Sequence, residues 1–213
     1  MTELFYAYIS KAKHHRLLRQ FLPFFSKHIQ NEILKYRKWE DVQLALLGKI
    51  LLRNGLNGLG LSFSEKDLAY NVNNKPYFKS GKIKFNISHS GEMVVCAISD
   101  LCDIGIDIEK ISPIDIHSFN FQMLDSEWKR ITDTNAPLVS FYEYWTQKEA
   151  VVKAHGKGLS ISLKSFEIMA LECEIQYSRF YLKEIKLDNK YKCYLAFKDR
   201  RPPDSIQCTK KEF

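Results

Sequence analysis

Between Gly105 and Glu109 the chain alternates two isoleucines with two carboxylates directly behind a glycine, reading Gly105-Ile106-Asp107-Ile108-Glu109. Successive side chains of a β-strand point to opposite faces, so a strand here sends Asp107 and Glu109 one way and anchors Ile106 and Ile108 on the other. A hard divalent cation such as Mg2+ suits that arrangement, because it takes one or two carboxylates and completes its octahedron with water and substrate phosphates. The same alternation also marks an ordinary strand with one wet face, and these five residues alone leave both readings open.

A second stretch, from Trp145 to Leu159, reads as a helix. Ser140 with Glu143 three residues later forms a capping-box pattern ahead of the apolar run, and Gly156 and Gly158 close its other end. At helical spacing Trp145, Glu149 and Lys153 share a face. Taken singly, a Glu/Lys pair four residues apart is an ordinary surface pair.

Together with Phe85-Asn86-Ile87-Ser88-His89-Ser90, these two stretches resemble the signature of the Sfp-type 4′-phosphopantetheinyl transferases, within the holo-[acyl-carrier-protein] synthase superfamily. The family pattern of an F-N-x-S-H-S strand, a G-x-D-x-E strand and a W-x-x-K-E-A/S-x-x-K-x-x-G-x-G-L helix occurs in order, and the resemblance runs from about Leu46 to Leu159. It implies transfer of the phosphopantetheine arm of coenzyme A to a serine of an apo carrier protein, with release of adenosine 3′,5′-bisphosphate. By resemblance, Asp107, Glu109 and Glu149 hold Mg2+. Glu149 is the general base, with Glu127 as the alternative base or a neighbour of the metal, and Lys153 stabilises the departing phosphate. Lys75 and Pro76 match a turn near the adenine, and Ser88 and His89 match a phosphate-binding pair, with Asp107 and Lys153 also in contact with the cofactor. One departure stands out: where the family carries an arginine followed by Ser or Thr to grip the 3′-phosphate, this chain has Leu44 and Ala45, and two upstream family lysines fall on Ile29 and Glu32. Lys35, Arg37 and Lys38 are the cations close enough in sequence to supply the missing charge.

Length and composition agree with a globular domain: 213 residues, 45% hydrophobic and 27% charged. A formal net charge of +7 favours anionic partners, which include nucleic acid, a polyphosphate cofactor and an acidic carrier protein. The basic residues are scattered, without a dense Lys/Arg run or a zinc-finger signature, so neither nucleic acid nor membrane is the expected partner. Five widely spaced cysteines with no C-x-x-C pair argue against a disulfide framework. The opening residues lack a basic segment before a long apolar run and do not read as a signal peptide, so the chain is expected in the cytoplasm; a monomer is expected as well. Two other functions remain open: a coenzyme A-binding module without transferase activity, and a basic nucleic-acid-binding protein.

In chain order, Leu4–Ile9 reads as a strand, Lys11–Phe21 and Ser26–Lys38 as helices, and Val42–Arg53 as a core helix capped by Asp41 and ended by Asn54-Gly55. Gly55 to Gly60 follows a helix and lacks Gly-Lys-Ser/Thr, so it reads as a connector and not a phosphate loop. Short strands follow at Leu61–Phe63 and Tyr70–Val72. Ile83–Ser88, Met93–Ser99 and Ile104–Glu109 are then expected to form an antiparallel meander. A short helix at Ser126–Arg130 and the Trp145 helix precede strand-like runs at Ser165–Ala170, Tyr177–Glu184 and Tyr191–Phe197. Helices followed by a sheet thus occur twice. The expected fold is α+β, a pseudo-twofold pair of similar halves, each with helices on an antiparallel sheet and the active site between them. The halves are 1–101 and 102–213, with a loose tail from about residue 198.

Overall fold

A computed structural model describes residues 1–213, the side chain of Leu159 excepted. The N-terminal half opens with β1 (Thr2–Tyr8), followed by α1 (His14–Phe21), α2 (Lys27–Leu34) and the long α3 (Trp39–Gly58). A hairpin of β2 (Leu68–Tyr70) and β3 (Pro76–Phe78) then leads to β4 (Lys84–Ser90) and β5 (Met93–Ser99). The second half begins at β6 (Ile104–Lys110), crosses α4 (Asp125–Thr132) and α5 (Pro137–His155), and returns through β7 (Glu172–Ile175), β8 (Ser178–Glu184), β9 (Tyr191–Lys198) and β10 (Gln207–Lys210).

Two four-stranded sheets result, ordered β10-β1-β5-β4 and β6-β9-β8-β7. The unit β1, α3, β4, β5 recurs as β6, α5, β8, β9. In each, the first strand and the third element pair antiparallel on either side of the last strand. The expected α+β pair of like halves is therefore what the chain builds.

Each half packs its long helix on the outer face of its sheet. Leu46, Leu47, Ile50 and Leu51 of α3 meet Phe5, Phe85, Val94, Cys96 and Ile98, while Ala150, Val151 and Ala154 of α5 meet Phe180, Leu182, Tyr194 and Ala196. The inner faces close on each other through Leu4, Met93, Val95 and Ala97 from one sheet and Ile106, Ile108, Leu195 and Phe197 from the other. Period-two alternation places these residues, and their fellows Cys96, Ile98 and Ala196 point outward to the helices.

The sequence reading needs correction at six places. The meander stops at β5: β6 pairs with β9 instead and founds the second sheet. The helix expected to end at Asn54-Gly55 runs on through the supposed connector to Gly58, and its N-cap is Lys38, with Asp41 inside the first turn. Gly55 is tolerated there because α3 lies so close to the sheet that a Cβ would sit 2.6 Å from Ile98 and 2.7 Å from Phe5. No strand forms at 61–63, and 165–170 contributes only an isolated bridge at Met169. α5 starts at Pro137, ahead of the Ser140/Glu143 pattern, and Glu143 is drawn into an ion pair with Lys192 instead. The tail is tied down: β10 runs parallel to β1 with Leu4 opposite Cys208, and the Phe213 ring packs edge-on against Phe21 at 5.7 Å.

Candidate active site

β4 and β6 are the free edges of the two sheets, and they meet side by side. An unpaired strand edge must be covered, and here side chains replace the missing ladder. The face that β5 fills with Ala97, Val95 and Met93 is polar on β4, where the paired positions are Asn86, Ser88 and Ser90. Asn86 Oδ1 accepts from the Ile106 N–H at 2.8 Å, Ser88 Oγ donates to Asp107 Oδ1 at 2.9 Å, and Ser90 Oγ donates to Glu109 Oε2 at 2.7 Å while accepting from the Lys110 N–H at 3.0 Å. The alternating polar residues of the F-N-x-S-H-S stretch thus hold the alternating acids of the G-x-D-x-E stretch across the boundary between the halves.

Gly105 allows the third stretch to join them. α5 crosses β6 so closely that a Cβ at residue 105 would lie 2.1 Å from the Ala154 backbone nitrogen and 2.2 Å from the Ala150 carbonyl oxygen. That approach delivers Lys153 onto the acids: its ammonium donates to Asp107 Oδ1 at 2.6 Å and to Ser88 Oγ at 2.9 Å. Asp107 is only 3% exposed, and its second oxygen, Oδ2, is buried without a hydrogen-bond partner. Burial pushes its carboxyl above the usual range against the pull of Lys153. Glu109 and Glu149 are raised as well, each by burial first and next by the charge of Asp107. Among the described residues no three His, Cys, Asp or Glu side chains are gathered closely enough to enclose an ion by themselves.

Beside these groups opens a cleft of about 280 Å3 lined by Asn73, Asn74, Lys75 and Pro76 from the β2–β3 turn, Asn86 from β4, and Glu149, Val152, Lys153, Gly156 and Gly158 from the α5 end. The helix stops where expected, Gly156 adopting φ +82° as its left-handed cap. Burial lowers the Lys75 ammonium to about 8.

His89 points to the opposite face of β4. It lines a second cleft, about 260 Å3, with Glu32, Tyr36, Ala45 and Lys49. Burial lowers the pKa of both Lys49 and His89. Lys49, one turn beyond Ala45 on α3, is a cation that the motif comparison missed. Its position became visible only once α3 had been laid against β4. Lys35, which the sequence put forward for the same role, is instead paired with Glu32 at 2.5 Å.

Glu127 is not part of the site. It is fully buried, forms a 2.8 Å ion pair with the equally buried Lys148, and accepts from the Leu124 N–H at 3.1 Å and the Ile168 N–H at 3.2 Å. Lys148 in turn donates to the carbonyls of Leu163 and Phe166. With both oxygens committed and no path to solvent, Glu127 ties α4 to α5 and cannot act as the alternative base. Glu127→Gln is expected to strand the Lys148 charge and lower stability by about 3 kcal/mol in urea melts, with kcat of the folded fraction retained.

Comparison with known proteins covers both halves. Residues 103–202 match the model of the 4′-phosphopantetheinyl transferase superfamily, and residues 12–100 match that of the 4′-phosphopantetheinyl transferase N-terminal region. The 4′-phosphopantetheinyl transferase gsp of Aneurinibacillus migulanus is 40% identical over 147 residues, which cover 67% of this chain and 61% of that protein. The Sfp protein of Bacillus subtilis strain 168, another 4′-phosphopantetheinyl transferase, is 30% identical over 185 residues, covering 81% of this chain and 82% of its own length. A Xenopus laevis relative, L-aminoadipate-semialdehyde dehydrogenase-phosphopantetheinyl transferase, is 29% identical over 164 residues, 54% of its length. Matches that span both halves, together with a Bacillus relative covered over four fifths of its length, place the chain in the 4′-phosphopantetheinyl transferase superfamily.

Proposed function

We propose that this chain moves the 4′-phosphopantetheine arm of coenzyme A to a serine of an acidic apo carrier protein, as a holo-[acyl-carrier-protein] synthase acting as a monomer in the cytoplasm. The observation that carries the reading is the ion pair of buried Asp107 with Lys153, which together with Glu149 lines the cleft between the halves. One chain supplies all of them, which supports a monomer. All five cysteines are unpaired, which suits a reducing compartment, and among the described residues no helix is long and apolar enough to cross a membrane. The division into halves 1–101 and 102–213 is kept as part of this reading, with the last strand lent to the N-terminal sheet.

The adenine end of coenzyme A fits the cleft walled by Lys75, Pro76 and Asn86. His89 of β4 and Lys49 of α3 line the second cleft together with Ala45 and take the 3′-phosphate in this reading, Lys49 through its charge. Lys49→Met is expected to raise KM for coenzyme A while leaving 3′-dephospho-coenzyme A unchanged; equal shifts for both would remove Lys49 from phosphate binding. At the reacting end, Glu149 removes the carrier serine's proton as its oxygen attacks the β-phosphorus of the pyrophosphate. The Lys153 ammonium neutralises the charge left on adenosine 3′,5′-bisphosphate as the P–O bond breaks.

Mg2+ is the metal this donor set suits, held by Asp107, Glu109 and Glu149. Support comes from the unpartnered Asp107 Oδ2 and from three carboxyls raised by burial, Glu109 and Glu149 also by the charge of Asp107, a penalty that a cation relieves. A closed triad is not required, since Mg2+ keeps several waters and binds substrate phosphate oxygens. When bound, it supplies charge neutralisation on the pyrophosphate. Mg2+ alone is expected to raise the melting temperature at pH 7–8, and Asp107→Asn should blunt the shift. Because each raised carboxyl takes up protons at a higher pH than a free one, the shift should shrink as the solution is acidified.

The direct test is a mass spectrum. With coenzyme A and Mg2+, an apo acyl or peptidyl carrier should gain the mass of one phosphopantetheine arm, its Ser→Ala variant should not, and EDTA should stop the reaction. A panel of fatty-acid, polyketide, peptide-synthetase and lysine-pathway carriers that all stayed apo, while coenzyme A still bound, would favour a binding module instead.

A further inference from the structure

The β2–β3 turn belongs to the N-terminal half, yet its polar groups are spent on the end of α5 in the other half. Lys75 Nζ donates to the Lys153 carbonyl at 2.5 Å and to the Ile104 carbonyl of β6 at 3.1 Å, with the Ala154 carbonyl at 3.5 Å. Asn71 Nδ2 donates to the Gly156 carbonyl at 2.8 Å, and Asn73 Nδ2 reaches the same oxygen at 3.4 Å. The turn is itself preformed: Asn71 Oδ1 accepts from the N–H groups of Asn73 and Lys75, both at 2.9 Å, and the Asn71 N–H donates to the Lys75 carbonyl at 3.0 Å.

Ile104 apart, the carbonyls it reaches belong to the last turn and cap of a helix, where intrahelical donors run out and the negative end of the helix dipole lies. A lysine and two amides from elsewhere in the fold meet that need. They do so beside the residue whose side chain serves the reaction, since the backbone of Lys153 is bonded to Lys75 while its ammonium is bonded to Asp107 and Ser88. An ammonium has three protons and no more. Those of Lys75 have protein carbonyls within reach, so the group is already engaged before any phosphate arrives.

We propose that Lys75 is a positioning residue and not a cofactor ligand through its charge: with Asn71 it clasps the last turn of α5 and so fixes Lys153 and one wall of the cleft. Only the hydrocarbon stem of Lys75 and the Pro76 ring then face the cofactor, as apolar lining. The kinetic part of this proposal rests on the transfer reading given above, and the structural part does not.

The two parts are tested on the same variants, Lys75→Met, Asn71→Ala and the double substitution. Asn71→Ala removes no charge and adds none; it loosens the clasp together with the turn that presents Lys75, and so tests positioning without touching the ammonium. Misplacing a reacting group by about 1 Å can cost about 100-fold, so each single variant should lower kcat by about 10-fold or more while KM for coenzyme A stays within about 2-fold. Two residues acting through one contact should not add, and the double variant should be no slower than the slower single variant. Amides at the end of α5, residues 152–156, should exchange with deuterium faster in both single variants without any substrate present. A rise in KM with kcat preserved in Lys75→Met would make the ammonium a phosphate ligand and overturn the proposal. Multiplying effects in the double variant, or exchange unchanged at 152–156, would also overturn it. Should the wild type show no transfer to any carrier, the exchange measurement still decides whether the clasp exists.

Discussion

Gly105→Ala is expected to leave no cooperatively folded protein. Adding one methyl to a packed core costs about 1–3 kcal/mol even where side chains can yield, and here the methyl would meet backbone. A Cβ 2.1 Å from the Ala154 nitrogen and 2.2 Å from the Ala150 oxygen cannot be relieved by a rotamer change; α5 as a whole would have to lift off β6. That movement would open the contacts of Ala150, Val151 and Ala154 with the second sheet, so the cost should exceed about 4 kcal/mol, the range reserved for outright disruption. Gly58→Ala is the matched control: it adds the same methyl at the end of α3 with nothing within 4 Å, and should gain about 0.5–1 kcal/mol. Circular dichroism melts of the pair measure both. A Gly105→Ala protein melting within a few degrees of wild type would show that β6 and α5 need not approach as closely as described.

Among folded variants, the largest loss is expected from Glu149→Gln and Asp107→Ala. Removing a principal acid–base group costs about 10^2- to 10^4-fold in kcat. Glu149 is half-buried and borders an open cleft, so its amide replacement should fold normally. Asp107→Ala also leaves Lys153 and Ser88 without their shared acceptor, so it should lose both the metal-dependent melting shift and transfer. The pH profile follows from the same burial. In the proposed reaction Glu149 works ionised; burial raises its carboxyl in the metal-free protein and a bound cation opposes that rise, so activity should increase with pH through an acid limb that moves to lower pH as Mg2+ is increased. A wild-type-like turnover in Glu149→Gln would take the base assignment elsewhere.

What the sequence made legible was periodicity and local punctuation. Ile106 and Ile108 do face the core with Asp107 and Glu109 opposite them, and Gly156 does cap α5. What it hid depends on contacts between distant residues. The four-residue link Asp100–Asp103 looks like a hairpin turn, but β6 leaves for a second sheet because β9 offers it a seven-residue ladder and Gly105 admits α5 behind it. Gly55 reads as a helix stop and is instead kept inside α3 by close packing on Phe5 and Ile98. Glu127 stays open to a site role in the sequence because its buried partner, Lys148, lies in another helix and cannot be paired with it from local spacing. The Lys49 side chain joins His89 only after α3 and β4 are assembled.

The placing of β10 sets a schedule for making this protein. β1 leaves the ribosome ahead of the rest of its sheet, and its outer edge has no partner until Gln207–Lys210 arrive, 199 residues after Tyr8 (207 − 8). At about 5–20 residues per second, that edge waits about 10–40 s in an otherwise assembling N-terminal sheet. A bare edge carrying Leu4, Phe5 and Tyr6 is a template for other chains during that interval, and the wait lengthens whenever translation slows over the second half of the message.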